Sequence, residues 1–261
     1  MGFGNMGKTY ANSFISSRFI KSENICVLVR NLAATSNDYG IPYSNFTFIP
    51  NTRIEDFDII ILAVKPQDFN SLASTIKPFL KPNQIIFSVM AGVTITTIAE
   101  ELNCEKIVRS MPNIPTQIGK GMTVFSASNY VDRKELFIIQ NLINTTGKSI
   151  YVENENLIDA ATAISGSGPA YVFFFMNAMI KAAEELGFTP SEAELLVNQT
   201  FMGSVDLQNT SSLSNQDWIN KVASKGGTTE QALRVFEENN VQTAIIQAVK
   251  AANDRAIALG S

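Results

Sequence analysis

Short apolar runs separated by turns fill the first half of this chain, and helical periodicity fills the second. The runs 25–29, 58–64 and 84–88 are largely apolar rather than alternating, and 106–111 reads as the next strand. Continuous runs of this length suit a parallel sheet covered on both faces. Residues 8–18 can be helical, and 132–144 read as a helix with Gly147 just past its end. Residues 121–126 and 149–152 read as edge strands. From 156 onward the pattern is helical. A short helix at 156–164 leads into a long apolar one that Gly187 ends. Thr189-Pro190-Ser191-Glu192 is a capping box with Pro as the first helical residue. Ala193, Val197, Phe201 and Val205 then recur every fourth position on one helical face. Gln199 and Thr200 add polar groups to that helix, and residues 241–259 close the chain as a long alanine-rich helix. The pattern divides the chain into an α/β part, residues 1–153, and an all-α part, residues 154–261.

Gly2, Gly4 and Gly7, with Asn5 and Met6 between them, fit G-x-G-x-x-G. In a dinucleotide-binding turn such glycines permit a tight bend, close approach to a pyrophosphate and close packing of the next helix. The first part is therefore expected to be Rossmann-like. The fingerprint should follow a strand, yet only Met1 precedes it. That strand is normally central in the order 3-2-1-4-5-6, so a gap is expected between its neighbours. A truncated or mis-started sequence is the expectation, testable in the upstream coding DNA.

The run 25–29 ends in Arg30 and Asn31. Arg30 stands 23 positions after Gly7, near the spacing of about 20 at which an acidic residue would hold the ribose hydroxyl of NAD. A basic residue accommodates the 2′-phosphate of NADP instead. Arg30 thus favours NADPH, with NADH as the alternative donor and a solvated strand-end Arg as the plain reading. Ala63, Val64, Lys65 and Pro66 lie where the next strand ends, followed by Met90, Ala91 and Gly92 after the one beyond it. Met111, Pro112, Asn113, Ile114 and Pro115 follow the last. All fall at the carboxyl ends of strands, where a doubly wound sheet binds ligands.

Composition narrows the chemistry. The chain has 261 residues, 45% hydrophobic and 17% charged, with net charge −4. Lys and Arg form no dense block, so nucleic acid and anionic membrane are not expected partners. No histidine is present, which excludes His-based triads and imidazole metal ligands. Cys26 and Cys104 show neither a disulfide framework nor metal spacing, and Cys26 reads as a core thiol. The apolar run 170–180 is too short to span a bilayer, and no signal peptide precedes the fingerprint, so a cytoplasmic location is the default.

Two stretches of the helical half carry further chemistry. Ser165-Gly166-Ser167-Gly168-Pro169-Ala170-Tyr171 opens the long apolar helix. It reads as a backbone anion site at a helix start or as a hinge before a buried helix. Phe173, Phe174 and Phe175 read as a buried helix or a subunit interface rather than a cofactor box. Ser224-Lys225-Gly226-Gly227-Thr228-Thr229 places two glycines before a helix that Thr228 and Gln231 would cap. It offers the better carboxylate cradle, the alternative being an ordinary Gly-rich loop.

Together these pieces resemble the pyrroline-5-carboxylate reductase family. The matching segments are Gly2 to Gly7, Ala63 to Gln67, Ala91 to Val93, Arg109 to Pro115, Asp159 to Tyr171, Gln199-Thr200 and Gly226 to Thr229. They cover nearly the whole chain in the family's order. The segments 159–171 and 224–229 are highly specific together, whereas the Gly-rich start is shared with many dehydrogenases. The resemblance implies a Rossmann domain binding NADPH and a helical domain that intertwines into a homodimer, often within rings such as decamers. It implies 1-pyrroline-5-carboxylate as substrate. Backbone groups of the loop carrying Ser224, Gly226, Gly227, Thr228 and Thr229 would hold its carboxylate. The Thr229 hydroxyl would lie near the ring nitrogen as the catalytic group. Met111 to Pro115 with Ser165, Ser167 and Gly168 would line the nicotinamide and substrate pocket. Lys225 stands where many members have Pro, and Asn177 where an acidic residue is common.

Reduction of a cyclic imine needs a protonated or hydrogen-bonded nitrogen, and without histidine a hydroxyl such as that of Thr229, or a bound water, must supply it. The rival readings are a reductase of the six-membered imino acid, a 2-hydroxy-acid dehydrogenase and a catalytically silent NADP-binding regulator. The second lacks its expected Lys in residues 160–171. The third would not need Gly226 to Thr229.

Overall fold

The computed structural model describes residues 1–30 and 40–260. The chain forms two compact units, Met1–Ser167 with Ala252–Ser261, and Gly168–Ala251.

In the first unit the parallel core is β3 (Ile59–Leu62), β4 (Ile85–Ser88) and β5 (Ile107–Met111), paired in that order. α2 (Phe69–Ile76) and α3 (Ile95–Leu102) connect them. Their apolar faces bury Phe69, Ile76, Ile98 and Leu102 against Leu62 and Ile86. The other face packs Tyr10 and Phe14 of α1 (Asn5–Ser16) and Ile139 and Leu142 of α4 (Arg133–Asn144) on Phe87 and Val108. Both faces of the sheet are covered, which is why β4 reads as a run without alternation. Asp132 and Glu135 form a reciprocal cap at the head of α4.

β6 (Gly121–Ala127) corrects the edge-strand expectation. It lies between β5 and β7 (Gly147–Tyr151), antiparallel to β5 and parallel to β7. The turn through Pro112 and Pro115 reverses the chain beside the strand it has just left, so of these two strands β7 alone lies at a sheet edge.

β1 (Val27–Leu28) and β2 (Phe46–Thr47) form a separate two-stranded parallel sheet. The expected strand at 25–29 is therefore only two residues long. Among the described residues its second side meets only the stub of Met1 and Gly2. Gly2 donates its N–H to the Leu28 carbonyl at 2.9 Å, Ala63 donates to Met1 O at 2.9 Å, and the Met1 amine donates to Ile61 O at 2.6 Å. Above this stub, between the edges of β1 and β3, lies an apolar cavity of about 140 Å³ lined by Cys26, Leu28, Ile59, Ile61, Tyr10 and Phe14.

The second unit is helical, with α6 (Gly168–Glu185), α7 (Pro190–Asn209), α8 (Asn215–Val222), α9 (Thr228–Glu238) and most of α10 (Val241–Gly260). α6 and α7 pack as a hairpin. Gly187 makes the turn at φ 103°, and Thr189 with Glu192 caps α7 reciprocally. Of the fourfold series, Ala193 and Val197 are buried, whereas Val205 is 58% exposed. Thr200 bonds back to the Leu196 carbonyl. Phe173 and Phe174 are 62% and 71% exposed. The buried-helix reading of these phenylalanines fails within the chain, and the interface reading remains. The helical run Leu157–Glu185 has 29 residues and contains an 18-residue window of mean hydropathy 1.2, so by length and composition alone it is long and apolar enough to cross a membrane.

Candidate active site

The fingerprint makes a tight turn at the head of α1. Gly2 takes φ +84°, and a Cβ there would stand 2.7 Å from the Ala63 carbonyl oxygen. A Cβ on Gly7 would stand 2.3 Å from Gly2 O, so the helix can begin only where it does with glycine. Gly4 is different: nothing lies within 4 Å of its would-be Cβ. The fold itself does not demand glycine there, and the open space suits a close-approaching phosphate. Gly4 is also the N-cap of α1, with no capping side chain and no acidic residue in the first turn. These amides and the helix dipole favour an anion. The residues fit a dinucleotide, with Asn5 and Met6 in that first turn.

Arg30 follows β1 and is exposed. Its Nη1 and Nη2 donate to the two carboxylate oxygens of Asp68, 3.1 Å each. Asp68 comes from the turn after β3 that also carries the exposed Lys65 and Pro66. Asn31 lies outside the described residues. Ala63 and Val64 are half-buried beside the fingerprint. Ala91 is exposed, and Gly92 turns at φ 76° after β4.

β5 brings the next group together. Asn113 donates through Nδ2 to the Ser165 carbonyl at 3.1 Å and accepts from the Met122 N–H at 2.9 Å. A Cβ on Gly166 would meet the Met111 methyl at 2.7 Å. Met111 and Asn113 thus hold Ser165 and Gly166 against the strand end. Pro115 is half-buried in the following 3-10 turn, Ile114–Ile118. The Ser165 hydroxyl donates to the Ala161 carbonyl at 3.0 Å. α5 (Leu157–Ala161) runs into a π turn, Thr162–Gly166, and the Ser167 amide donates to Thr162 O at 2.8 Å. No free helix start exists at Ser165, so the anion-site reading of this stretch is corrected. A π turn is a frequent mark of a functional segment.

Arg109 was matched but not singled out from the sequence, and Glu155 was missed as a partner. Arg109 is 2% exposed. It donates through Nη1 to Glu155 at 2.9 Å and through Nη2 to Asp159 at 2.6 Å. The available signal was a charged residue inside an apolar strand, because a buried guanidinium requires carboxylate partners.

In the second unit, Gly226 takes φ +76° and Gly227 donates to the Ser224 carbonyl at 2.9 Å. A Cβ on Gly227 would stand 2.6 Å from the Ser224 hydroxyl. The expected Thr228–Gln231 cap is absent. Gly227 is the N-cap of α9, and Glu230 accepts the Gly226 N–H at 2.7 Å. A carboxylate is a stronger acceptor than a hydroxyl, and the Gly226 turn makes Thr228 the first helical residue. Thr229 is half-buried one position on. Lys225 is exposed at the turn, and Gly168 begins α6 with open space beside its Cα.

Residues 155–259 match the family model for pyrroline-5-carboxylate reductase dimerisation, and residues 1–92 match that for NADP oxidoreductase, coenzyme F420-dependent. A Bacillus subtilis protein named pyrroline-5-carboxylate reductase 2 is 34% identical over 257 residues, covering 96% of this chain and 90% of that protein. This chain belongs to the pyrroline-5-carboxylate reductase family. Its fold matches a Plasmodium falciparum pyrroline carboxylate reductase solved with NADP bound, at TM-score 0.89 and 31% identity, covering 100% of this chain and 97% of the other. A Coxiella burnetii pyrroline-5-carboxylate reductase gives TM-score 0.89 at 33% identity over 99% and 96%. As a family member the chain is an NAD(P)H-dependent oxidoreductase with a small-molecule substrate and a dimerisation region.

Proposed function

We propose that this chain reduces 1-pyrroline-5-carboxylate to L-proline, the last step of proline synthesis, with NADPH as donor. The supporting observation is that a family member matched over 96% of its residues keeps both glycine devices, the open Gly4 at the α1 start and the Gly226 turn at the α9 start.

NADPH supplies a hydride to the C=N carbon. Gly2, Gly4 and Gly7 admit its pyrophosphate at the head of α1, with Asn5 and Met6 donating backbone groups. Arg30, with Asn31 beside it in sequence, would meet the adenosine ribose, and Arg30 favours a 2′-phosphate. Residues 63–66, Ala91, Gly92 and Asn113 flank the remainder. Ser224, Gly226, Gly227 and Thr228 hold the substrate carboxylate by backbone groups, and the Thr229 hydroxyl, or a bound water, hydrogen-bonds the ring nitrogen, whose proton comes from solvent. Met111, Pro115, Ser165, Ser167 and Gly168 wall the ring. Most of the rate comes from holding two reactants face to face. Residues 1–153 form the cofactor domain, and 154–261 the substrate and dimerisation domain.

The assembly is a homodimer that can build larger rings such as decamers, in the cytoplasm, without nucleic acid or membrane. The exposed faces of α6 and α7 supply its contact surface. Oxidation of NADPH with 1-pyrroline-5-carboxylate, beside the six-membered imine and with NADH as control, tests the reading. Preference for the six-membered imine would reassign the substrate. A folded dimer without turnover would point to the regulatory alternative.

A further inference from the structure

The structure assigns Arg109 a positioning role for the reaction, acting through Glu155 and Asp159; the inference rests on the functional reading above. Arg109, Met111 and Asn113 alternate along one extended stretch, so their side chains leave the same face. All three reach the segment 155–166. Arg109 pins its front end at Asp159, 2.6 Å away. Asn113 pins its far end at the Ser165 carbonyl, 3.1 Å away, and Met111 fills the place a side chain on Gly166 would take.

Between these anchors lies the π turn Thr162–Gly166. A π turn holds more residues than the α pitch, so where Ser165 and Gly166 come to rest depends on where both ends are pinned. The fork of Arg109 reaches further. Glu155 Oε1 accepts both Arg109 Nη1 at 2.9 Å and the Ile95 N–H at 2.8 Å. Ile95 is the first residue of α3, just after the turn with Ala91 and Gly92. One guanidinium therefore ties a proposed cofactor turn and a proposed substrate wall to the same strand. Lysine would hold this arrangement less rigidly, because its three donors radiate from one atom and lack the planar fork that fixes two carboxylates in place.

The test compares wild type, Asp159→Asn and Glu155→Gln. Both substitutions keep shape and remove charge. The readouts are kcat, KM for 1-pyrroline-5-carboxylate, NADPH affinity without substrate, thermal unfolding, and the primary isotope effect with NADPH deuterated at the transferred position. The wall of Ser165 and Gly166 should shift, lowering kcat in Asp159→Asn by about tenfold to a hundredfold. The isotope effect should rise as hydride transfer becomes limiting, and NADPH affinity should stay within about twofold. A folded Asp159→Asn enzyme with wild-type kcat and isotope effect overturns the role. So does a loss of activity in both variants that merely tracks the unfolded fraction. Absence of turnover in wild type removes the functional reading, and this inference with it. Wild-type turnover with unaffected variants removes the positioning role alone.

Discussion

Arg30 and Asp68 form a two-pronged ion pair, each guanidinium Nη 3.1 Å from a separate carboxylate oxygen. The pair is exposed on the Arg30 side, so it adds little stability. Its consequence is for cofactor choice, since a bound 2′-phosphate would compete with Asp68 for the same fork. Arg30→Ala should lower kcat/KM for NADPH by about tenfold to a hundredfold, the range of a lost charge-assisted hydrogen bond, and leave NADH nearly unchanged. Asp68→Ala should lower KM for NADPH. Steady-state kinetics with both donors checks the pair, and an equal loss with each donor would exclude a role in selectivity.

Thr229 offers a hydroxyl at the head of α9 in a chain without histidine. Thr229→Ala should lower kcat/KM by roughly tenfold or more, about 1.4 kcal/mol. Thr229→Ser should retain most activity because it keeps the donor. An alanine variant as active as wild type would remove the hydroxyl from the mechanism.

The Met1 amine donates to Ile61 O in apolar surroundings, and burial lowers its pKa from 8.0 to about 6, the Cys26 charge opposing only in part. A base depressed on folding takes its proton later in the folded state than in the unfolded one. As pH falls from 8 to 6, the unfolded chain is protonated first and stability drops. The drop should be roughly 2–3 kcal/mol for two pKa units, with no further change from this group below that window. Acetylating the amine keeps an N–H for Ile61 and removes the charge, so urea unfolding of the acetylated chain should lose this pH dependence.

The cavity between β1 and β3 is lined by residues of both strand edges, Leu28 on one side and Ile59 and Ile61 on the other. Four apolar β-branched residues joined ahead of Met1 should pair with both edges and raise Tm by roughly 5 °C or more. A Gly-Ser extension of equal length serves as control. Equal Tm values for the two would show that the slot does not accept a strand.

Phe174, 71% exposed on α6, belongs to an apolar face that the chain leaves uncovered. Phe174→Glu should shift the protein towards monomer in light scattering and lower its thermal stability. An unchanged mass would place the subunit contact elsewhere.

The strands β3 to β5, the fingerprint turn, the α4 helix and the α7 cap were legible because each depends on neighbours within a few residues. Gly2, Gly4 and Gly7 announced a turn by spacing alone. The interior place of β6 was not legible, because the same apolar run suits an edge or a middle strand until its partners are known. The Thr228 cap failed for a similar reason: the turn at Gly226 makes Gly227 the N-cap, and Glu230 accepts the Gly226 N–H instead. Arg109 was visible as a charge in a strand, but its carboxylates lie 46 and 50 residues away.

By itself, then, the sequence determined a doubly wound α/β part, a helical part and a glycine turn built for a dinucleotide, since backbone sterics and side-chain periodicity act over short range. Only the tertiary structure decided which strands are neighbours and which carboxylates neutralise Arg109. It also separated Gly4, left open for a ligand, from Gly2 and Gly7, required by the fold. Those outcomes depend on contacts between residues far apart in the chain, and no local pattern encodes which distant partner will fill a given space.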